Sequence, residues 1–165
     1  MLQPEYRDLT AEYAELVKAH FGHRLVSLCF FGSVVRGEAS PESDIDALIV
    51  ADGLPTGFGS RIRDTNKIHE FLKKRPAHRR LRSEGRNALI SDIYLTRDEA
   101  RSHPPILLDI ADHGVIVYDR GGFLAEVLRD IREKLKALGA RKVIAKKGYY
   151  WVLKPDAMPT EVIEI

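Results

Sequence analysis

Two short apolar runs constrain this chain most: "RLVSLCFF" (24–31) and "DALIV" (46–50). Each is rich in branched and aromatic residues, four to eight residues long and bounded by turn-formers, which is the pattern of buried strands. The segment joining them, "GSVVRGEASPES", opens on a Gly-Ser turn and delivers two acids, Asp44 and Asp46, to the mouth of the second run. Side chains on a strand alternate faces, so acids two residues apart point the same way. Their like charges repel, and taking them out of water adds to the cost. A divalent cation relieves both problems. Mg²⁺ suits hard oxygen donors, takes one or two protein carboxylates, and fills its shell with water and phosphate oxygens. Gly32-Ser33 supplies the other half of such a site, because glycine lets backbone N–H groups come close to phosphate oxygens. Ser33 adds a hydroxyl and Arg36 a fixed cationic fork. A phosphate cradle beside a carboxylate pair is the equipment of phosphoryl or nucleotidyl transfer.

The rest of the chain supplies a frame. Tyr6, Leu9, Tyr13, Leu16 and Val17 recur at helical spacing, so 4–21 reads as an amphipathic helix stopped by Gly22. After the Gly- and Pro-dense loop "ADGLPTGFG", Ser60 is read as the N-cap of a helix bounded near its end by Pro76. "KKRPAHRRLRSEGR" (73–86) reads as a strongly basic connector, and its default role is a solvated loop. "NALISDIYLT" (87–96) reads as a third strand. Its Asp92, apolar on both sides, needs a partner if buried. If this strand lies beside the second, Asp92 can face Asp44 and Asp46 as a third metal ligand, and Tyr94 shares its face. Pro104-Pro105 open a short helix closed by Gly114, "VIVYD" is a short strand, and 122–138 carries a clear helical stripe ending at Gly139. The last 25 residues read as an extended aromatic tail packed on the domain. The expected fold class is α+β: a small mixed sheet with helices packed mainly on one face. Neither G-x-G-x-x-G nor G-x-x-x-x-G-K-[ST] occurs.

The spacing G-S, ten residues, then D-x-D in "GSVVRGEASPESDID" resembles the signature of the DNA polymerase beta-like nucleotidyltransferases, and among them the minimal nucleotidyltransferases of archaea and bacteria. The resemblance covers about residues 10–96. It implies that Gly32 and Ser33 hold the triphosphate of an NTP, with Arg36 and Ser43 in the same loop. It implies that Asp44, Asp46 and Asp92 bind two Mg²⁺ ions. The implied reaction moves a nucleoside monophosphate, from ATP in the leading reading, onto an acceptor hydroxyl and releases pyrophosphate. The acceptor is left open among small molecule, RNA and protein. Proteins of this type also resemble antitoxins that pair with a separate HEPN-domain toxin and in some cases modify it with AMP. A catalytically silent nucleotide-binding regulator is a third reading, opposed by the apparent presence of all three acids.

Composition limits the alternatives. At 165 residues one domain is expected, a core over about 10–96 with an extension over 97–165. A net charge of +2 gives no general argument for nucleic acid or membrane. The single cysteine excludes an internal disulfide and suits a reducing cytoplasm. No signal peptide is visible in "MLQPEYRDLT", and no apolar run approaches the length that spans a bilayer. Few Gln, Asn, Cys and Met beside many Arg, Lys and Glu lean towards a thermophilic composition.

Overall fold

The structure is a computed structural model that describes residues 2–145, 148–158, 161–163 and 165, with the backbone alone for Phe58. Helix α1 (Arg7–Phe21) follows a 3-10 turn at Pro4–Tyr6 and leads into strand β1 (Leu25–Phe31). The short helix α2 (Ser33–Arg36) and the polar loop follow, then strand β2 (Ile45–Ala51). Helices α3 (Phe58–Leu72) and α4 (Pro76–Ser83) precede strand β3 (Ile90–Leu95). Helices α5 (Arg97–Arg101) and α6 (Ile106–His113), strand β4 (Val115–Asp119) and helix α7 (Phe123–Ala137) complete the main body. A hairpin of β5 (Arg141–Ala145) and β6 (Gly148–Val152) stands apart as its own small sheet.

The main sheet runs β3-β2-β1-β4. β1 is antiparallel to both β2 and β4, whereas β2 and β3 are parallel. Antiparallel neighbours can be joined by a short connection, and the polar loop between β1 and β2 suffices. Parallel neighbours need a crossover of a dozen or more residues, which α3 and α4 provide.

The sheet is buried on both sides. Along β2, Ile45, Ala47, Ile49 and Ala51 join a core with Tyr6, Leu9, Tyr13 and Val17 of the N-terminal segment and Ile68 and Leu72 of α3. The alternate residues Leu48 and Val50 join a second core with Leu107 and Ile110 of α6 and Leu124, Leu128 and Ile131 of α7. Each fully buried Leu, Ile or Val among them contributes about 1.5–3 kcal/mol. The mixed α+β sheet is the expected one. Helices mainly on one face describes only the first layer, because the extension beyond residue 97 builds a second. α7 can start where it does because Asp119 accepts the N–H groups of Leu124 and Ala125, each at 3.0 Å.

Three local expectations change. α3 starts at Phe58 with Gly57 as its N-cap, so Ser60 lies inside the helix. Pro76 opens α4 instead of bounding α3, and the basic connector is largely helical, anchored by buried Ala77 and Leu81. The tail forms the β5–β6 hairpin, and the described residues after it carry no helix or strand. Among the described residues, no helix is long and apolar enough to cross a membrane.

Candidate active site

The antiparallel register sets Phe31, the last residue of β1, opposite Asp46. The chain then turns at Gly32 with φ 75° and ψ −159°, backbone that essentially only glycine adopts. There is a second reason for glycine here. A Cβ on residue 32 would stand 1.9 Å from Asp46 Oδ2. The Asp46 carboxylate thus lies directly against the Gly-Ser turn, so the expected phosphate-binding turn and the acid stand side by side. The Ser33 hydroxyl has no hydrogen-bond partner among the described residues, and α2 is closed behind it by Arg36 N–H to the Gly32 carbonyl at 3.2 Å.

The carboxylates of Asp44 and Asp46 are held differently. Asp44 Oδ1 accepts a hydrogen bond from Asn87 Nδ2 at 2.5 Å. The Asn87 backbone N–H in turn donates to the Pro41 carbonyl at 2.6 Å, so one residue ahead of β3 fixes both the loop and the acid. Asp46 is half-buried and has no hydrogen-bond or ion-pair partner among the described residues. Burial pushes its pKa above the ordinary value, the neighbouring Asp44 adds to the rise, and Arg36 offsets part of it. The Arg36 guanidinium is engaged by Glu38 Oε2 at 2.7 Å and stands 5.9 Å from the Tyr149 ring centre in the hairpin. Burial, followed by the Asp109 carboxylate, lifts the Tyr149 hydroxyl to about 12. Ser43 shapes the loop: its Oγ accepts the Ser40 N–H at 2.9 Å.

Asp92 is not brought to this site. β3 does lie beside β2, as the third-ligand expectation requires, but the register pairs Ser91 with Asp46 and Asp92 with Ala47. Paired residues share a face, so Asp92 points to the face opposite Asp46. There its Oδ2 accepts from Tyr13 Oη at 2.6 Å and Tyr94 Oη at 2.6 Å, and lies 2.7 Å from His69 Nε2. Burial alone would raise its pKa. The hydrogen bonds from His69, Tyr13 and Tyr94 outweigh that and hold it below the ordinary carboxylate value. Tyr94 shares its face, as the period-two reading requires. The partner that a buried Asp92 demands is therefore a ring of hydroxyls and an imidazole on α1, α3 and β3. Among the described residues, no group of three or more His, Cys, Asp and Glu stands together as a metal-binding cluster.

The donor chemistry at Asp44 and Asp46 fits Mg²⁺. Two hard carboxylates are within the number this ion takes from protein, and an unpartnered, half-buried Asp46 with a raised pKa is the kind of group a cation stabilises. The sequence reading gives Asn87, His69 and Tyr13 no role at the acids. Asn87 sits three residues before β3 and carries no motif of its own, and His69 and Tyr13 lie on helices distant in sequence from Asp92.

A strand–turn–strand unit that presses a Gly-Ser turn against a D-x-D acid, on a mixed sheet with helices on both faces, defines a nucleotide-handling class of protein. The chain belongs to the nucleotidyltransferase domain family, whose sequence profile matches residues 11–148. It is 32% identical over 129 residues to MJ1305 of Methanocaldococcus jannaschii, a protein named as a protein adenylyltransferase, covering 77% of this chain and 81% of that one. Among solved structures it is similar to spectinomycin adenyltransferase AAD(9) from Enterococcus faecialis, solved with ATP and spectinomycin. There the TM-score is 0.55 at 16% identity, over 80% of this chain and 66% of that one. It is also similar to a chain of the MntA-HpeT toxin–antitoxin complex, with a TM-score of 0.50 at 14% identity, over 79% of this chain and 91% of that one. At these identities the two structures speak to the fold.

Proposed function

We propose that this protein transfers a nucleoside monophosphate, AMP from ATP, to a hydroxyl group on a protein acceptor and releases pyrophosphate. The observation that carries the reading is the contact between Gly32 and the unpartnered carboxylate of Asp46, with Asp44 beside it. The M. jannaschii relative supports the adenylyl group and the protein acceptor.

In this reading the Gly32 backbone, the Ser33 hydroxyl and Arg36 bind and orient the triphosphate. Asp44 and Asp46 hold Mg²⁺, which when bound neutralises phosphate charge and lowers the pKa of an oxygen nucleophile. Asn87 keeps the Asp44 carboxylate aimed at the site. The acceptor oxygen forms a bond to the α-phosphorus as the bond to the bridging oxygen of the departing pyrophosphate breaks. The acceptor proton passes to solvent as the oxygen attacks. Asp92 has no part in the transfer, and a single-ion site is the arrangement that two acids support.

The resemblance to minimal nucleotidyltransferases adds a candidate for the acceptor: a separate HEPN-domain toxin, inactivated by the same adenylyl transfer. The test is incubation of the protein with Mg²⁺, each α-labelled NTP in turn, and a lysate of its source. The expected result is label from ATP on a discrete protein band, lost on adding EDTA. Label confined to small molecules or nucleic acid would overturn the protein acceptor, and no labelling by any NTP would overturn the transferase reading.

A further inference from the structure

The basic stretch 73–86 uses its side chains in different ways once folded. Arg80 pairs with Asp8 at 2.6 Å and Arg86 approaches Glu5 at 3.9 Å, which ties α4 to the N-terminal segment. Lys73, His78 and Arg82 do something else. All three line one open cavity of about 240 Å³, and none of their side chains has an acidic partner among the described residues. The charges of Lys73 and Arg82 thus converge on one cavity without a counterion among the described residues, an arrangement in which like charges repel. Burial, then the charges of Arg82 and Lys73, depress the His78 imidazole pKa, so the three groups feel one another. The floor of the cavity is apolar, with Leu72 and the half-exposed Leu89. Its remaining wall includes Asn87, the residue that holds Asp44.

The position matters as much as the charge. β2 carries the acids, β1 and its Gly32-Ser33 turn lie on one side of it, and the lead-in to β3 with Asn87 lies on the other. In phosphoryl transfer the entering and leaving oxygens are roughly in line across the phosphorus. If the departing pyrophosphate is held at the Gly-Ser turn, the acceptor enters from the β3 flank, which the cavity reaches at Asn87.

We infer that the cavity formed by Lys73, His78 and Arg82 binds an acidic segment next to the accepting hydroxyl of the protein substrate. This assignment rests on the transferase reading and names the kind of acceptor that reading requires. The cavity has room for one or two carboxylate side chains, and its apolar floor takes the aliphatic part of a glutamate or a neighbouring apolar residue.

The test measures binding of a fluorescent peptide with tyrosine flanked by glutamates, by anisotropy, to the full-length protein. A matched peptide with glutamine in place of glutamate serves as the comparison. The wild type is expected to bind the acidic peptide about ten-fold more tightly, since the two partly exposed charge pairs made by Lys73 and Arg82 each contribute a factor of about three. Lys73→Glu and Arg82→Glu, both at exposed positions, should each remove most of that preference. Arg79→Glu should leave it intact, because Arg79 lies on α4 outside the cavity and its guanidinium bonds the Lys74 carbonyl. Adding Mg²⁺ with a non-hydrolysable ATP analogue should leave the peptide bound. Equal binding of the two peptides, a preference that survives Lys73→Glu and Arg82→Glu, or displacement by the ATP analogue would overturn the inference. So would tighter binding of a single-stranded oligonucleotide that competes with the peptide. The wild type and both variants are also titrated with Mg²⁺ and the ATP analogue alone. Unchanged nucleotide binding with no peptide preference sinks this inference only. Peptide preference without label transfer from ATP sinks the transferase reading and leaves an acidic-peptide site.

Discussion

Gly32→Ala isolates the contact on which the site depends. The new Cβ would lie 1.9 Å from Asp46 Oδ2 and 2.9 Å from its Cγ. Non-bonded carbon and oxygen do not approach much closer than about 3.3 Å, so the carboxylate must retreat by about 1.4 Å. A displacement of about 1 Å in a positioned catalytic group costs on the order of 100-fold in rate. The backbone adds its own penalty of about 1–3 kcal/mol, since φ 75° with ψ −159° is glycine territory. Gly139→Ala separates the two effects. Gly139 has φ 67° just beyond α7, and an added Cβ there meets nothing within 4 Å. It should therefore lose stability by about 1 kcal/mol and no activity. Urea unfolding measures the stability of both variants, and transfer from α-labelled ATP measures activity under conditions where each is folded. Gly32→Ala is expected to be folded, somewhat destabilised and at least about 100-fold slower. If it transfers within a few-fold of wild type, the carboxylate against the turn is not the reacting site.

Other consequences concern the acids and their supports. Asn87→Ala should slow transfer by about ten-fold, because it frees Asp44 from its 2.5 Å hydrogen bond without touching the phosphate cradle; unchanged steady-state rates would refute that role. Asp46 has a folded pKa above its unfolded value, so its ionised form weakens the fold as pH rises through that window. Asp46→Asn should then be at least as stable as wild type at neutral pH, measured as the urea midpoint with no metal present. Asp92 has the opposite sign. Its folded pKa is depressed, so its contribution is present above the unfolded carboxylate pKa and is lost as pH falls through the folded value. An acid-unfolding titration should show that loss missing in Asp92→Asn. The Cys29 thiol, buried and pushed up to about 12 by burial and then by Asp119, should react with a thiol reagent at the rate of unfolding and no faster.

The two strands, the turn and the paired acids were legible because they depend on local periodicity and on a glycine whose neighbours lie close in sequence. Asp92 was misplaced for a physical reason. An acid inside an apolar run announces that it needs a partner, but which face it takes relative to another strand depends on register. A one-residue slip moves every side chain to the other face, and no feature of "LISDIYL" fixes that slip. The partners were equally hidden, since Tyr13 and His69 sit on amphipathic stripes where a polar aromatic looks like ordinary packing. α4 was obscured by charge: Pro76 at its first position and Ala77 and Leu81 four residues apart are helix signals, yet six Lys and Arg side chains between 73 and 82 suggested a solvated loop. α5 was announced by the Thr96–Glu99 capping box, in which Thr96 Oγ1 accepts the Glu99 N–H at 3.2 Å, and it went unread beside the longer stripes. The second helical layer could not be read from element order at all, because it depends on where α6 and α7 fold back across the sheet.

The central claim is a division of labour: Asp46 belongs to the reaction and Asp92 to the fold. The most direct measurement compares Mg²⁺-dependent transfer from α-labelled ATP by Asp46→Asn and Asp92→Asn, each with its urea unfolding curve. The account predicts that Asp46→Asn stays folded and loses transfer. Asp92→Asn should lose about 2–4 kcal/mol of stability, as three hydrogen bonds to a buried carboxylate weaken, while the folded fraction keeps its transfer rate. The reverse pattern, with transfer abolished in a fully folded Asp92→Asn or retained in Asp46→Asn, would contradict it.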